Sequence, residues 1–88
     1  MDRALPPSPR LVVPDLGMPG AAIALSLWLV PEGADVLEGD RVAELLCNAA
    51  TIDLEAPVTG RLVRHLVDED AAVTPGMAIA EFEQAAER

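Results

Sequence analysis

Cys47 and His65 are the one thiol and the one imidazole in this 88-residue chain. Nucleophilic or metal chemistry would have to start from them, and neither has the company it needs. No basic side chain adjoins Cys47 in sequence to hold it as a thiolate. It reads instead as a small apolar residue packed in a strand. His65 has no cysteine, serine motif or second histidine beside it, so neither paired metal ligands nor a nucleophile–base couple can be written. The acidic sets Glu38/Asp40 and Asp68/Glu69/Asp70 fall in turns, where carboxylates are solvated. They lack the spacing and closing glutamate of a calcium loop. Gly17 and Gly20 are too sparse a pair for a phosphate cradle. The remaining chemistry is amide formation on a lysine amine. The chain contains no lysine: its six basic residues are Arg3, Arg10, Arg41, Arg61, Arg64 and Arg88. No catalytic residue and no metal site are therefore expected.

The elements that would position any site follow from composition and pattern. The length suits one domain. Half the residues are hydrophobic, yet Trp28 and Phe82 are the only large rings, so the core is expected from Leu, Val, Ile and Ala. The net charge of −9 repels phosphate backbones and anionic lipid, which excludes nucleic-acid and membrane partners. It suits a partner with a basic face. The apolar run Leu25–Val30 is too short to span a bilayer. A single cysteine and no apolar leader after Met1–Arg10 point to a cytoplasmic chain. Pro6, Pro7 and Pro9 mark residues 1–10 as an extended tail or linker. The folded domain is expected over 11–83, with 84–88 a second tail.

The strongest pattern is an internal duplication. Residues 28–45, WLVPEGADVLEGDRVAEL, align without gaps on residues 65–82, HLVDEDAAVTPGMAIAEF. Eight positions are identical, among them Leu29/Leu66, Val36/Val73, Gly39/Gly76 and Glu44/Glu81. Each copy reads as a strand (Leu25–Val30, Leu62–Val67), an acidic turn, a bridging valine, a glycine turn and a second strand (Val42–Leu46, Met77–Phe82). His65 aligns with Trp28, a partly buried ring at a sheet edge. Two such units, each too small to be stable alone, pack about a pseudo-twofold axis. The expected fold is all-β: a flattened barrel or sandwich of about eight short strands in two related halves.

Between the copies, Val42–Cys47 and Thr51–Leu54 read as a hairpin with Asn48-Ala49 at its tip, since Asn tolerates a left-handed turn. Ala56-Pro57 ends the second strand. At this point the chain resembles the lipoyl/biotinyl attachment family. Pro14-Asp15-Leu16-Gly17-Met18-Pro19 is similar to the opening of lipoyl domains in the acyltransferase component of 2-oxo acid dehydrogenase complexes. Trp28-Leu29-Val30, Glu32-Gly33, Gly39-Asp40, Glu55-Ala56-Pro57, Gly60 and Pro75-Gly76 fall where that family places them. The resemblance spans about residues 11–83.

The resemblance implies a swinging-arm carrier whose tip lysine takes lipoate or biotin as an amide, the cofactor supplying the chemistry. Counting back from Ala56-Pro57, Ala49 stands at the acceptor position, Asn48 at the aspartate before it and Ala50 at the alanine after it. An alanine methyl offers no nucleophile. The expectation is therefore a domain with no cofactor and no catalysis of its own, acting as a binding, scaffold or regulatory module. The alternative is a group carrier whose acceptor was lost naturally or by mutation. Expected partners are components of a 2-oxo acid dehydrogenase or related multienzyme complex, the isolated domain being monomeric. The resemblance assigns partner recognition to Met18 and Pro19 beside the tip, together with Asn48 and Glu44.

Overall fold

A computed structural model describes residues 8–85; residues 1–7, with most of the expected N-terminal tail, and 86–88 lie outside it. The described residues form eight strands: β1 (Arg10–Val12), β2 (Ile23–Trp28), β3 (Asp35–Val36), β4 (Arg41–Cys47), β5 (Ala50–Glu55), β6 (Gly60–His65), β7 (Ala72–Val73) and β8 (Ala78–Gln84). They make two four-stranded antiparallel sheets, ordered β1-β8-β6-β3 and β5-β4-β2-β7. The sheets lie face to face as a flattened sandwich. The expected all-β architecture of about eight short strands is the one the chain adopts.

The duplication governs the geometry strand by strand. A step of 37 positions carries β2 onto β6, β3 onto β7 and β4 onto β8 with no slip. Irregularities repeat too. The β2–β4 ladder shifts between Leu25 and Leu27, and the β6–β8 ladder between Leu62 and Arg64. The β4–β5 ladder shifts between Arg41 and Ala43, and β1–β8 at the matching Ala78 and Ala80. Bulges bend and twist the strand that carries them, so both sheets curve alike and their inner faces fit together. The core is duplicated as well: Leu25/Leu62, Leu45/Phe82, Val42/Ile79, Val36/Val73 and Ala43/Ala80 are all buried. Strand residues alternate between faces, and the ladder shifts at Arg41/Ala43 and Ala78/Ala80 accompany the burial of both adjacent residues, Val42 with Ala43 and Ile79 with Ala80. At the turns, Gly39 and Gly76 take φ of 94° and 86°, a region glycine enters without a Cβ penalty.

Two features differ from the sequence reading. The first strands were placed at Leu25–Val30 and Leu62–Val67, whereas β2 and β6 begin and end two residues earlier. At these ends the backbone N–H groups of Trp28 and His65 donate to the carboxylates of Glu69 and Glu32, while those of Leu29 and Leu66 still reach the Val42 and Ile79 carbonyls. The halves also part company in one connection. Ten residues, 13–22, join β1 to β2, while four, 56–59, join β5 to β6. The longer loop lies beside the β4–β5 tip.

Candidate functional site

The β4–β5 hairpin is built as a clamped projection. At its base the Gly39 N–H donates to the Ala56 carbonyl (3.0 Å) and the Ala56 N–H to the Asp40 carbonyl (2.7 Å). From there the ladder runs to Cys47 opposite Ala50, leaving Asn48 and Ala49 as a two-residue turn. Asn48 has φ of 56°. A left-handed first residue matches the twist of the flanking strands, and Asn accepts that conformation at lower cost than most residues. Its backbone N–H reaches the Ala22 carbonyl at 3.4 Å, tying the tip to the end of the 13–22 loop. Asn48, Ala49 and Ala50 are all exposed, while Cys47 beneath them is fully buried as a free thiol. Its place is that of a core side chain.

The loop is shaped by its own polar groups. Asp15 Oδ1 accepts from the Gly17 N–H (2.9 Å), and the Met18 carbonyl accepts from the Ala21 N–H (3.1 Å). Gly17 and Gly20 take φ of 71° and 79°. Met18 and Pro19 are exposed and line a shallow hollow of about 320 Å³ with Asp15, Ile23 and Pro75. A separate cleft of about 270 Å³ runs from Ala22 and Asn48 past Leu46 to Asp70 and Ala72. The structure thus brings Asn48 to the loop and keeps Met18 and Pro19 in a hollow of their own. Glu44 stands away from the tip, on the outer face of β4, opposite Leu27 on β2 and Asp53 on β5.

Trp28 and His65 form an arrangement that the sequence reading missed. Their rings stack at 3.9 Å with an interplanar angle of 10°. The Trp28 indole Nε1–H donates to the Val67 carbonyl (3.1 Å), and His65 Nε2 faces the Val30 carbonyl at the same distance. A carbonyl can only accept, which puts the proton on Nε2. The backbone bonds to Glu69 (2.9 Å) and Glu32 (2.8 Å) complete the symmetry. Each half therefore grips the other through the same four groups, across the pseudo-twofold axis. Glu69, read from sequence as a solvated turn acid, is a structural acceptor. So is Asp40, which caps the Leu37 N–H at 2.9 Å. The signal that would have found the Trp28 partner is the alignment of Glu32 with Glu69 in the repeat.

Among the described residues no group of three or more His, Cys, Asp or Glu side chains is placed to hold a metal. Nor is any helix among the described residues long and apolar enough to cross a membrane. The tip offers one carboxamide and two methyl groups. A group held as a lysine amide finds no primary amine among Asn48, Ala49 and Ala50, and no lysine elsewhere in the sequence.

Comparison with known proteins gives this geometry a family. The model of the biotin–lipoyl family, described as "Biotin-requiring enzyme", matches residues 10–82. The dihydrolipoyllysine-residue acetyltransferase component of the acetoin cleaving system of Bacillus subtilis (strain 168) is 33% identical over 70 residues, 80% of this chain and 18% of that protein. A solved single-chain, multi-domain long-chain acyl-CoA carboxylase superposes with a TM-score of 0.75 at 24% identity, covering 99% of this chain and 8% of the other. That likeness is one of fold. The chain thus spans less than a fifth of either protein. These findings correct the expectation of no cofactor. The matching family is named for its need of biotin and for lipoate, and the relative for its dihydrolipoyllysine residue, so lipoate or biotin is the cofactor class against which this domain is read. Domains of this kind carry groups and do not themselves catalyse. The sandwich, the projecting hairpin and the match over residues 10–82 together make this chain a member of the biotin–lipoyl attachment family.

Proposed function

We propose that residues 11–83 form a presenting and docking module of a cytoplasmic multienzyme assembly, one that works on acyl or carboxyl groups carried by lipoate or biotin. In this reading the chain catalyses nothing itself. Its work is to offer the Asn48-Ala49-Ala50 tip and the Met18-Pro19 loop to components of a 2-oxo acid dehydrogenase or similar complex. The observation that carries the proposal is the intact tip: a clamped hairpin, a two-residue turn with φ of 56° at Asn48, and a hydrogen bond from that turn to the adjacent loop. A tip under no demand for shape has no reason to keep this geometry.

The family match favours a second reading, in which the domain belongs to a working group carrier. One experiment separates the two. The unaltered chain and its Ala49→Lys variant are each co-expressed with lipoate and biotin ligases and weighed intact. They are then titrated against purified decarboxylase and dihydrolipoyl dehydrogenase components. The docking reading expects the Ala49→Lys chain to gain the mass of one lipoyl or biotinyl group and the unaltered chain to bind a component. A mass gain on the unaltered chain assigns the carrier reading. Failure of the variant to be modified, together with no binding, overturns both.

A further inference from the structure

The pseudo-twofold makes each half a control for the other, and the two outer sheet faces fail that comparison in one place. On the β1-β8-β6-β3 sheet the outer face carries ion pairs beside the exposed Val12 and Val63. Arg61 meets Glu83 at 2.5 Å, and Glu81 is held between Arg10 (3.4 Å) and Arg64 (3.8 Å). Stepping back 37 positions gives the face of the β5-β4-β2-β7 sheet. There Arg61 becomes Ala24, Glu83 becomes Leu46 and Arg64 becomes Leu27, while Glu81 remains an acid, Glu44. Register sets the replacements side by side: Ala24 opposite Leu46, Leu27 opposite Glu44. Leu46 and Leu27 are 41% and 45% exposed. On the far side, Glu44 pairs across the ladder with Asp53, where Glu81 has Arg10. Asp53 is itself joined to Arg41 at 3.1 Å.

Glu44 is thus a half-exposed carboxylate that has lost both guanidinium partners of its twin and gained an apolar neighbour on one side and an acid on the other. Among the described residues it takes part in no ion pair. All four described arginines are engaged elsewhere. No described arginine is left for Glu44, so a guanidinium brought by a partner fits it, and the leucines beside it suit apolar cover.

We propose that this face, centred on Glu44, Leu27 and Leu46, docks a protein partner that brings an arginine side chain to Glu44 and apolar side chains onto the two leucines. Arginine is among the residues enriched at interface centres, and a carboxylate–guanidinium contact fixes its position among the apolar contacts. The inference rests on the docking role proposed above and names the surface and the partner chemistry for it.

The test uses the full chain and the purified decarboxylase and dihydrolipoyl dehydrogenase components, with affinity read by titration calorimetry. The variant Leu27→Arg/Leu46→Glu writes the charges of the other sheet onto this face, and Arg61→Ala/Glu83→Ala alters the other sheet as control. A melting curve of each variant checks folding. Binding of a component is expected to weaken at least tenfold in the first variant and to change less than twofold in the control. Glu44→Gln is expected to weaken it about fivefold and to flatten its dependence on salt. Unchanged affinity in the Leu27/Leu46 and Glu44 variants, with binding still lost on altering Met18 or Asn48, overturns this surface and leaves the docking role standing. No binding by any component removes the docking role and this inference with it. Self-association of the chain that Leu46→Glu abolishes shows the occupant to be a second copy and overturns the proposed partner.

Discussion

Removing the carboxylates that cross the pseudo-twofold axis is expected to loosen the whole domain. Glu69 accepts the Trp28 N–H at 2.9 Å and Glu32 the His65 N–H at 2.8 Å, and the two anchored residues stack on each other at 3.9 Å. A hydrogen bond to a charged group contributes about 1.5–3 kcal/mol when buried. Both glutamates are exposed, so water can replace them in part, and about 1 kcal/mol per substitution is the better figure. For a domain of this size that lowers the melting temperature by about 4–8 °C. Glu32→Ala and Glu69→Ala should therefore each cost about 1 kcal/mol, and Glu→Gln, which keeps an acceptor oxygen, about half as much. The two sites act on one stacked pair, so the double variant should exceed the sum of the singles by about 0.5 kcal/mol or more. Urea titration followed by the fluorescence of Trp28, the only tryptophan, and by circular dichroism measures all of this with one intrinsic probe. Single variants indistinguishable from the unaltered chain, or a strictly additive double variant, would show that the halves are held by the core alone and refute the latch.

Substitutions at two further positions probe the tip and its opposite end. Asn48→Gly should leave stability within about 0.5 kcal/mol, while Asn48→Ala should cost about 1 kcal/mol, because φ of 56° crowds a Cβ; thermal melts of both decide it, and equal effects would mean that the turn relaxes to another type. Gly60→Ala should destabilise by about 1–3 kcal/mol, since a Cβ at 60 would run into the Glu83 carbonyl oxygen and come within 2.9 Å of the Ala85 nitrogen, backbone atoms that cannot rotate away; a melting curve unchanged by this substitution would show that β8 is free to shift.

The duplication was the most legible feature of the sequence, because a gapless repeat preserves spacing and spacing sets register. It placed the glycine turns and the paired core positions such as Leu45/Phe82, while the hairpin tip at Asn48-Ala49 was read from the strand pattern between the copies. Strand ends were less legible. Hydrophobic alternation continues through Val30 and Val67, but the strands end at Trp28 and His65, whose backbone N–H groups go to side-chain carboxylates. A bond between residues 41 positions apart leaves no local trace. The bulges were hidden for a similar reason: a one-residue slip within a ladder alters pairing without altering composition. The same blindness concealed the Trp28–His65 stack, which needs the fold to bring two aligned residues together.

Divergence between the copies carries the functional information, and conservation between them the structural. Positions that agree after a step of 37, such as Val36/Val73 and Gly39/Gly76, face the core or make turns. Packing fixes them in both halves. Some core pairs differ only in apolar size, as Leu45/Phe82 and Val42/Ile79 do; the changes between charged and apolar lie outside, where nothing in the sandwich demands a difference, since both sheets have the same strand order and matching bulges. An exposed leucine opposite a carboxylate gains nothing for the fold that the arginine at the matching site would not give. Leu27, Leu46 and the longer 13–22 loop all lie on the half that bears the tip. Departures from symmetry that gather on one face of a symmetric scaffold answer to something the scaffold does not contain. In the docking role proposed above, that is the partner seated on Glu44, Leu27 and Leu46.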